Sequence, residues 1–315
     1  MVNVKKLDYN LMFPLKSGKP NLYWPVYENL EKEFTQLSFN IFIDDNQLDT
    51  YSYKISELIL RSAIEIESIS KELYYREGGK EVNNLRYDDA LKYLDKKWKL
   101  NKKLLMINSP NLHVSETKLR PFSKTLNKRN RKMQFRWNIA YQNIKHNRGK
   151  FVKEASIKNL LDILSALFVL NIYYNDEMFD LGKDSRGKSL YSKLSTSLFA
   201  VSIHRNEGLN QFEEQNRRDG FEESLYYIVF DDQSRNRLRK AMKDWVKRMK
   251  DKLPNEPEFD KFRKMENLFE FYSNAEIEEK IGKESLKNLI ATSSLGLPKI
   301  MEGLTSVAKV NKNDL

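Results

Sequence analysis

The chain has 315 residues, 55 Lys and Arg against 44 Asp and Glu, and a formal charge of +11; a surplus of that size favours a polyanionic partner, nucleic acid or an acidic membrane. There is no cysteine, which excludes disulfides, zinc fingers, iron–sulfur clusters and thiol nucleophiles. The three histidines, His113, His146 and His204, lie far apart and no HExxH occurs, so neither a metal site nor a cofactor is expected.

Residues 1–9 are polar and lysine-bearing, without the apolar core of a signal peptide. Residues 23–37 read as a helix with Pro25 in its first turn. Leu37, Phe39, Ile41 and Ile43 alternate, which predicts a strand over 37–44. Residues 53–75 carry an amphipathic stripe of Ile55, Ile59, Ala63, Ile66, Ile69 and Leu73, ended by Gly78-Gly79. A helix follows over 87–100, then an extended or loop segment over 104–115, which contains Pro110. Helices are predicted over 131–151 and 155–174, with Gly149 between the two patterns. The second is the most apolar run, but Lys158, Asn159, Asp162 and Asn171 interrupt it, so it reads as a core helix and not a membrane span. A cytoplasmic protein with no membrane contact is expected.

Residues 180–189 read as a polar loop, and the apolar runs 198–203 and 225–230 as strands. A charged helix over 235–252 leads to a linker marked by Pro254 and Pro257, with further helices over 259–273 and 275–304. The expected fold is mainly α with a small β element. Residues 1–175 form a helical domain, 176–308 a C-terminal extension with two strands and helices, and 309–315 a disordered tail.

From Lys118 to Lys153 there are twelve Lys or Arg and no acidic residue. Phe122, Phe135, Trp137, Tyr141 and Phe151 punctuate this stretch, and cations beside aromatics suit the phosphates and unstacked bases of single-stranded nucleic acid. Lys128, Arg129, Arg131, Lys132, Arg136, Lys145 and Lys150 are the candidate contacts. Equally, most of these aromatics fall on one helical stripe with Met133, Ala140 and Ile144, as core residues would.

Inside the stretch, Asn143-Ile-Lys145-His146-Asn-Arg148 precedes the apolar helix. Together with the earlier helix carrying Ala63, Glu65 and Glu67, residues 20–175 resemble HEPN domains, a helical superfamily with many RNases of toxin–antitoxin, abortive-infection and CRISPR systems. The resemblance implies a HEPN-like helical core, metal-independent cleavage of RNA, a homodimer, and an antitoxin or defence-system partner. Histidine suits the proton transfer, arginine the phosphate and a polar side chain the orientation, which nominates His146, Arg148 and Asn143. The superfamily's usual motif is an arginine, then four to six residues, then the histidine. Here Tyr141, Ala140 and Ile139 stand near those positions, while Arg136 lies further back on the face of Asn143 and Lys150. On a continuous helix Arg148 falls near the apolar stripe, where it would form a buried ion pair with Glu65 or Glu67.

Gly182-Lys-Asp-Ser-Arg-Gly187-Lys188-Ser189 matches the phosphate-loop string, and Asp231 after residues 226–230 resembles the second nucleotide motif. Acidic residues precede the string and its interior is charged, so it also reads as a basic connector. Three functions follow in order: a metal-independent ribonuclease, a non-catalytic RNA-binding or protein-interaction module, and a nucleotide-dependent enzyme.

Overall fold

The computed structural model describes residues 21–184, 186–188, 190–205, 219–264, 275–294 and 297–313. Contacts divide the chain into two units: one holds the described residues of Met1–Phe179, Arg186–Ile228 and Ala308–Leu315, the other those of Asp180–Ser185 and Val229–Val307.

Among the described residues the first unit is built on five long helices: α1 (Trp24–Asn40), α2 (Tyr53–Arg76), α3 (Tyr87–Trp98), α4 (Arg136–His146) and α5 (Ile157–Asn175). Local sequence sets their ends. Pro25 occupies the first turn of α1, where no N–H is needed. Ser52 and Ser156 cap α2 and α5 by accepting from Ile55 N and Asn159 N at 3.1 and 3.4 Å. α5 is buried nearly all round and packs on α1, α2 and α4. Among the described residues it is the one helix long and apolar enough to cross a bilayer, yet 83% of that window is buried inside the protein, as in a core helix. Its Tyr173 ring stacks on Trp98 of α3 at 4.3 Å.

Short strands connect these helices. β1 (Ile43–Asp44) pairs in parallel with β3 (Leu112–His113). β2 (Leu105–Ile107) runs antiparallel to both β4 (Lys118–Leu119) and β8 (Phe199–Val201). β5 (Lys124–Asn127) and β6 (Lys132–Phe135) form a hairpin leading directly into α4. A fourth sheet has the order β7-β11-β10-β9, from β7 (Phe179–Gly182), β9 (Ile203–Arg205), β10 (Tyr226–Phe230) and β11 (Ser306–Val310).

In the second unit, α7 (Asp232–Asp251) buries Leu238, Ala241, Met242, Trp245 and Met249. Arg248 Nε donates to Ser293 O at 3.0 Å, fastening α7 to the end of a later helix, Lys283–Ser293.

Several expectations are corrected. Among the described residues 54% are helical and 15% strand, in four small sheets, which makes this an α+β fold and not mainly α with one small β element. The strand expected over 37–44 is largely helix: Tyr27, Leu30, Glu31, Phe34 and Ser38 are buried at helical spacing, so the stripe continues through two polar residues. The helix expected over 131–151 is half that length, because 132–135 belong to the hairpin and α4 stops at His146. Residues 104–115 are extended as expected, with β2 and β3, and the strand expected over 198–203 is present as β8 and the start of β9. The polar loop at 180 begins inside β7. The helix over 275–304 is three pieces, Ala275–Ile281, Lys283–Ser293 and Leu297–Glu302, broken first at Gly282 with φ +79°. The tail at 309 starts inside β11, with Asn311 fully buried.

Candidate nucleic-acid interface

The basic stretch folds as a hairpin, a helix and a turn. In the hairpin, Leu126 pairs with Met133 and Lys124 with Phe135. Phe135 anchors the inner end against Phe122 and Trp137, at ring separations of 5.5 and 5.9 Å. The loop at the outer end is tied locally: Asn127 Oδ1 accepts from Arg129 N at 2.9 Å, Asn130 Oδ1 from Lys132 N at 3.0 Å, and Asn127 O from Arg131 N at 2.8 Å. Such asparagine bonds replace a glycine turn, and Arg131 takes the left-handed conformation at φ +54°.

Four of the twelve cations are held by carboxylates. Arg120 meets Glu223 and Lys124 meets Asp95, both at 2.5 Å; Arg136 meets Asp162 at 3.1 Å; Lys145 meets Glu67 at 4.0 Å. The other eight, Lys118, Lys128, Arg129, Arg131, Lys132, Arg148, Lys150 and Lys153, are exposed and have no carboxylate partner among the described residues. Arg129 joins the hairpin loop to the rest of this surface. Its Nη1 donates to Asn143 Oδ1 at 2.8 Å, and its guanidinium lies 4.9 Å from the Phe151 ring centre, with Lys150 Nζ at 5.5 Å from the same ring. Hairpin loop, α4 and the 147–153 turn therefore present one cationic surface.

His146 is the last residue of α4, exposed, with no side-chain partner among the described residues. The helix ends there because Asn147 leaves helical geometry at φ −155° and ψ 76°. Arg148 is exposed too, so the expected buried ion pair with Glu65 or Glu67 is not formed. The expectation failed because it extended the stripe of α4 past its true end. Glu67 instead accepts from the Tyr141 hydroxyl at 2.8 Å, and Lys145 donates to that hydroxyl at 2.9 Å. Burial, then the Glu67 bond, raises the Tyr141 hydroxyl well above its ordinary value. Asn143 is buried, and its Oδ1 supports Arg129. Arg136, expected on an open basic face with Asn143 and Lys150, is engaged by Asp162 of α5.

Sequence reasoning missed a buried polar cluster beside this surface. Tyr87 donates to Asn138 Oδ1 and Gln142 donates to Tyr87 Oη, both at 2.7 Å, while Asn138 Nδ2 reaches Asp88 Oδ1 at 3.1 Å. Burial raises the Asp88 carboxyl, and Arg86 pulls it back down. The hairpin was missed too, although Thr-Leu-Asn and Lys-Met-Gln-Phe alternate around an asparagine-rich loop.

The phosphate-loop string lies elsewhere. Gly182 does end a strand, but the next helix is the single turn α6 (Tyr191–Leu194), and Ser189 lies outside the described residues. Gly187 is buried at φ +63°, where an added Cβ would sit 2.5 Å from Ile228 Cδ1, so this glycine serves close packing. Lys188 is exposed. Asp231 caps α7, accepting from Ser234 N at 2.7 Å and from Thr305 Oγ1. No helix starts at Lys188 to place amides around a phosphate. Among the described residues no three His, Asp or Glu side chains converge as metal ligands. Comparison with family models, curated proteins and solved structures found no match.

Proposed function

We propose that this chain is a cytoplasmic RNA-binding protein whose contact surface is the β5–β6 hairpin loop with residues 147–153. The observation that carries the reading is the set of seven exposed cations without carboxylate partners among the described residues, four on the hairpin and three in residues 147–153, which Arg129 joins. Phosphates would displace counterions from this surface, so binding should weaken steeply with salt. Reversing charge at Lys128, Arg129, Arg131 and Lys132 should lower affinity strongly. It should also flatten the slope of log K against log salt by about 3, for four single-strand phosphate contacts. Unchanged affinity in a folded variant would overturn the reading.

A second reading adds catalysis at His146, and the exposed imidazole beside exposed Arg148, past the end of α4, favours it. His146 would take the proton of a ribose 2′-hydroxyl, whose oxygen attacks the adjacent phosphorus. The bond from phosphorus to the 5′-oxygen breaks, that oxygen gains a proton, and a 2′,3′-cyclic phosphate and a 5′-hydroxyl result. Arg148 would stabilise the charge developing on the phosphate. The resemblance to HEPN ribonucleases supports this reading and implies a homodimer and an antitoxin or defence-system partner. RNA incubated with the protein in EDTA should then yield those ends, and His146→Ala should reduce cleavage about a hundredfold. Because the side chain is exposed, melting should barely move. Full cleavage by a well-folded His146→Ala protein would end this reading and leave the binding surface standing.

A further inference from the structure

The aromatic residues that suggest base stacking in the sequence are mostly core: Phe122, Phe135, Trp137 and Tyr141 are at most 6% exposed. The apolar surface that the basic stretch offers to solvent is a different one. Leu126 and Met133 are 55% and 59% exposed, and they are direct cross-strand partners. Residues paired in this way project from the same sheet face with their Cβ atoms about 5 Å apart, so the two side chains form one contiguous apolar patch. Further in on the hairpin, Phe135 is buried; the patch is the outer continuation of that face. It lies one rung from a loop bearing Lys128, Arg129 and Arg131, and the intervening rung carries Lys132.

We infer that the Leu126–Met133 pair is a platform for the faces of unpaired RNA bases, with the loop cations on the flanking phosphates. The inference rests on the RNA-binding reading of this same surface and adds a substrate class to it: single-stranded over duplex RNA. Three features carry it. Two large apolar side chains at the tip of a polar hairpin are costly to leave in water unless something covers them. The charge on the adjoining loop is of one sign, complementary to phosphate and hostile to a basic partner protein. Three hydrogen bonds accepted by Asn127 and Asn130 already order the loop, so contact demands little further ordering. A duplex satisfies the cations equally well, but its base faces are stacked on one another and unavailable to Leu126 and Met133. An acidic membrane would satisfy the charge too, yet two side chains offer little area for insertion beside a tip of cations.

The test uses the full-length protein and two 2′-O-methyl RNA probes, which cannot be cleaved through the 2′-oxygen: an unstructured U-rich strand and a blunt duplex of equal length. The parent should prefer the strand. Leu126→Ser/Met133→Ser should cut that preference by about fivefold or more, with duplex affinity and salt slope retained. Charge reversal of the loop cations should weaken both probes together. Loss of binding on charge reversal with no change of preference in the Leu126/Met133 variant would overturn the platform and leave the RNA-binding reading intact. Insensitivity to both would overturn both. Two further outcomes would assign the patch elsewhere and overturn the inference. One is a change of oligomeric state in the variant, by light scattering. The other is parent binding to vesicles of phosphatidylserine and phosphatidylcholine that the variant loses.

Discussion

At Asp162 the core helix carries a carboxylate that is 3% exposed. Its Oδ1 accepts from Arg136, while its Oδ2 and Arg136 Nε are buried without partners among the described residues. Burial outweighs the pull of Arg136 and of Lys158, and the carboxyl is pushed up to about 6. The folded protein therefore keeps a proton on Asp162, between about pH 4 and 6, that the unfolded chain has released. This residue's contribution to stability accordingly falls as pH rises through that window. A shift of about two units is worth roughly 3 kcal/mol. Asp162→Asn removes the titration, so the stability of this variant relative to the parent should rise by that order from about pH 4 to pH 7. Chemical denaturation across the range reads it, and parallel curves would mean an ordinary carboxylate. From the sequence, Asp162 was legible as an interruption of an apolar run. Its partner was not, because Arg136 sits on another helix and only packing brings the two together.

Among the elements, α2 and α5 were legible because a stripe repeated over five or more turns survives an occasional polar residue. Of the strands, the apolar runs that became β8 and β10 were legible; most of the others were not, since two to five residues give too few alternations to stand out. The β5–β6 hairpin shows the cost most directly: Arg131 and Lys132, read as the start of a helix, lie in its loop and in β6. The hairpin also contains a backbone feature that sequence does not reveal. Arg131 occupies a left-handed conformation that costs a non-glycine residue about 1–2 kcal/mol. Arg131→Gly relieves that cost but loosens the unfolded chain by a similar amount, so stability should stay within about 1 kcal/mol. RNA affinity should fall, with the salt slope reduced by about 0.7 for one lost single-strand contact. Melting beside a salt titration separates the two effects. Unaltered affinity would place the guanidinium outside the interface.

At the scale of the whole molecule, the first unit is discontinuous: it is completed by Ala308–Leu315, after the second unit has been traversed. The final segment is well held. Asn311 Nδ2 donates to Phe221 O at 2.6 Å and to Ser224 Oγ at 2.9 Å, its O accepts from Tyr173 at 2.6 Å, and its N donates to Leu225 O at 2.8 Å. Lys312 pairs with Glu77 at 2.9 Å and Asp176 at 3.1 Å. Asn311→Ala would remove two buried side-chain hydrogen bonds, to Phe221 O and Ser224 Oγ, and should cost about 1–3 kcal/mol. Deleting Ala308–Leu315 should lower the melting temperature further, and a truncated chain as stable as the parent would show the segment to be dispensable. Polar composition hid this segment from sequence reading, since a buried asparagine looks like any tail residue until its partners, some ninety residues or more away, are known.

That arrangement has a consequence for synthesis. When Phe221, Ser224 and Leu225 leave the ribosome, Asn311, which bonds to all three, has not yet been made. Translation at roughly 5–20 residues per second puts the delay on the order of ten seconds. Over that interval the nascent first unit carries open hydrogen-bonding groups and a gap in its core. The unit that bears the cationic surface therefore gains its last contacts only once Ala308 and the residues after it have been made.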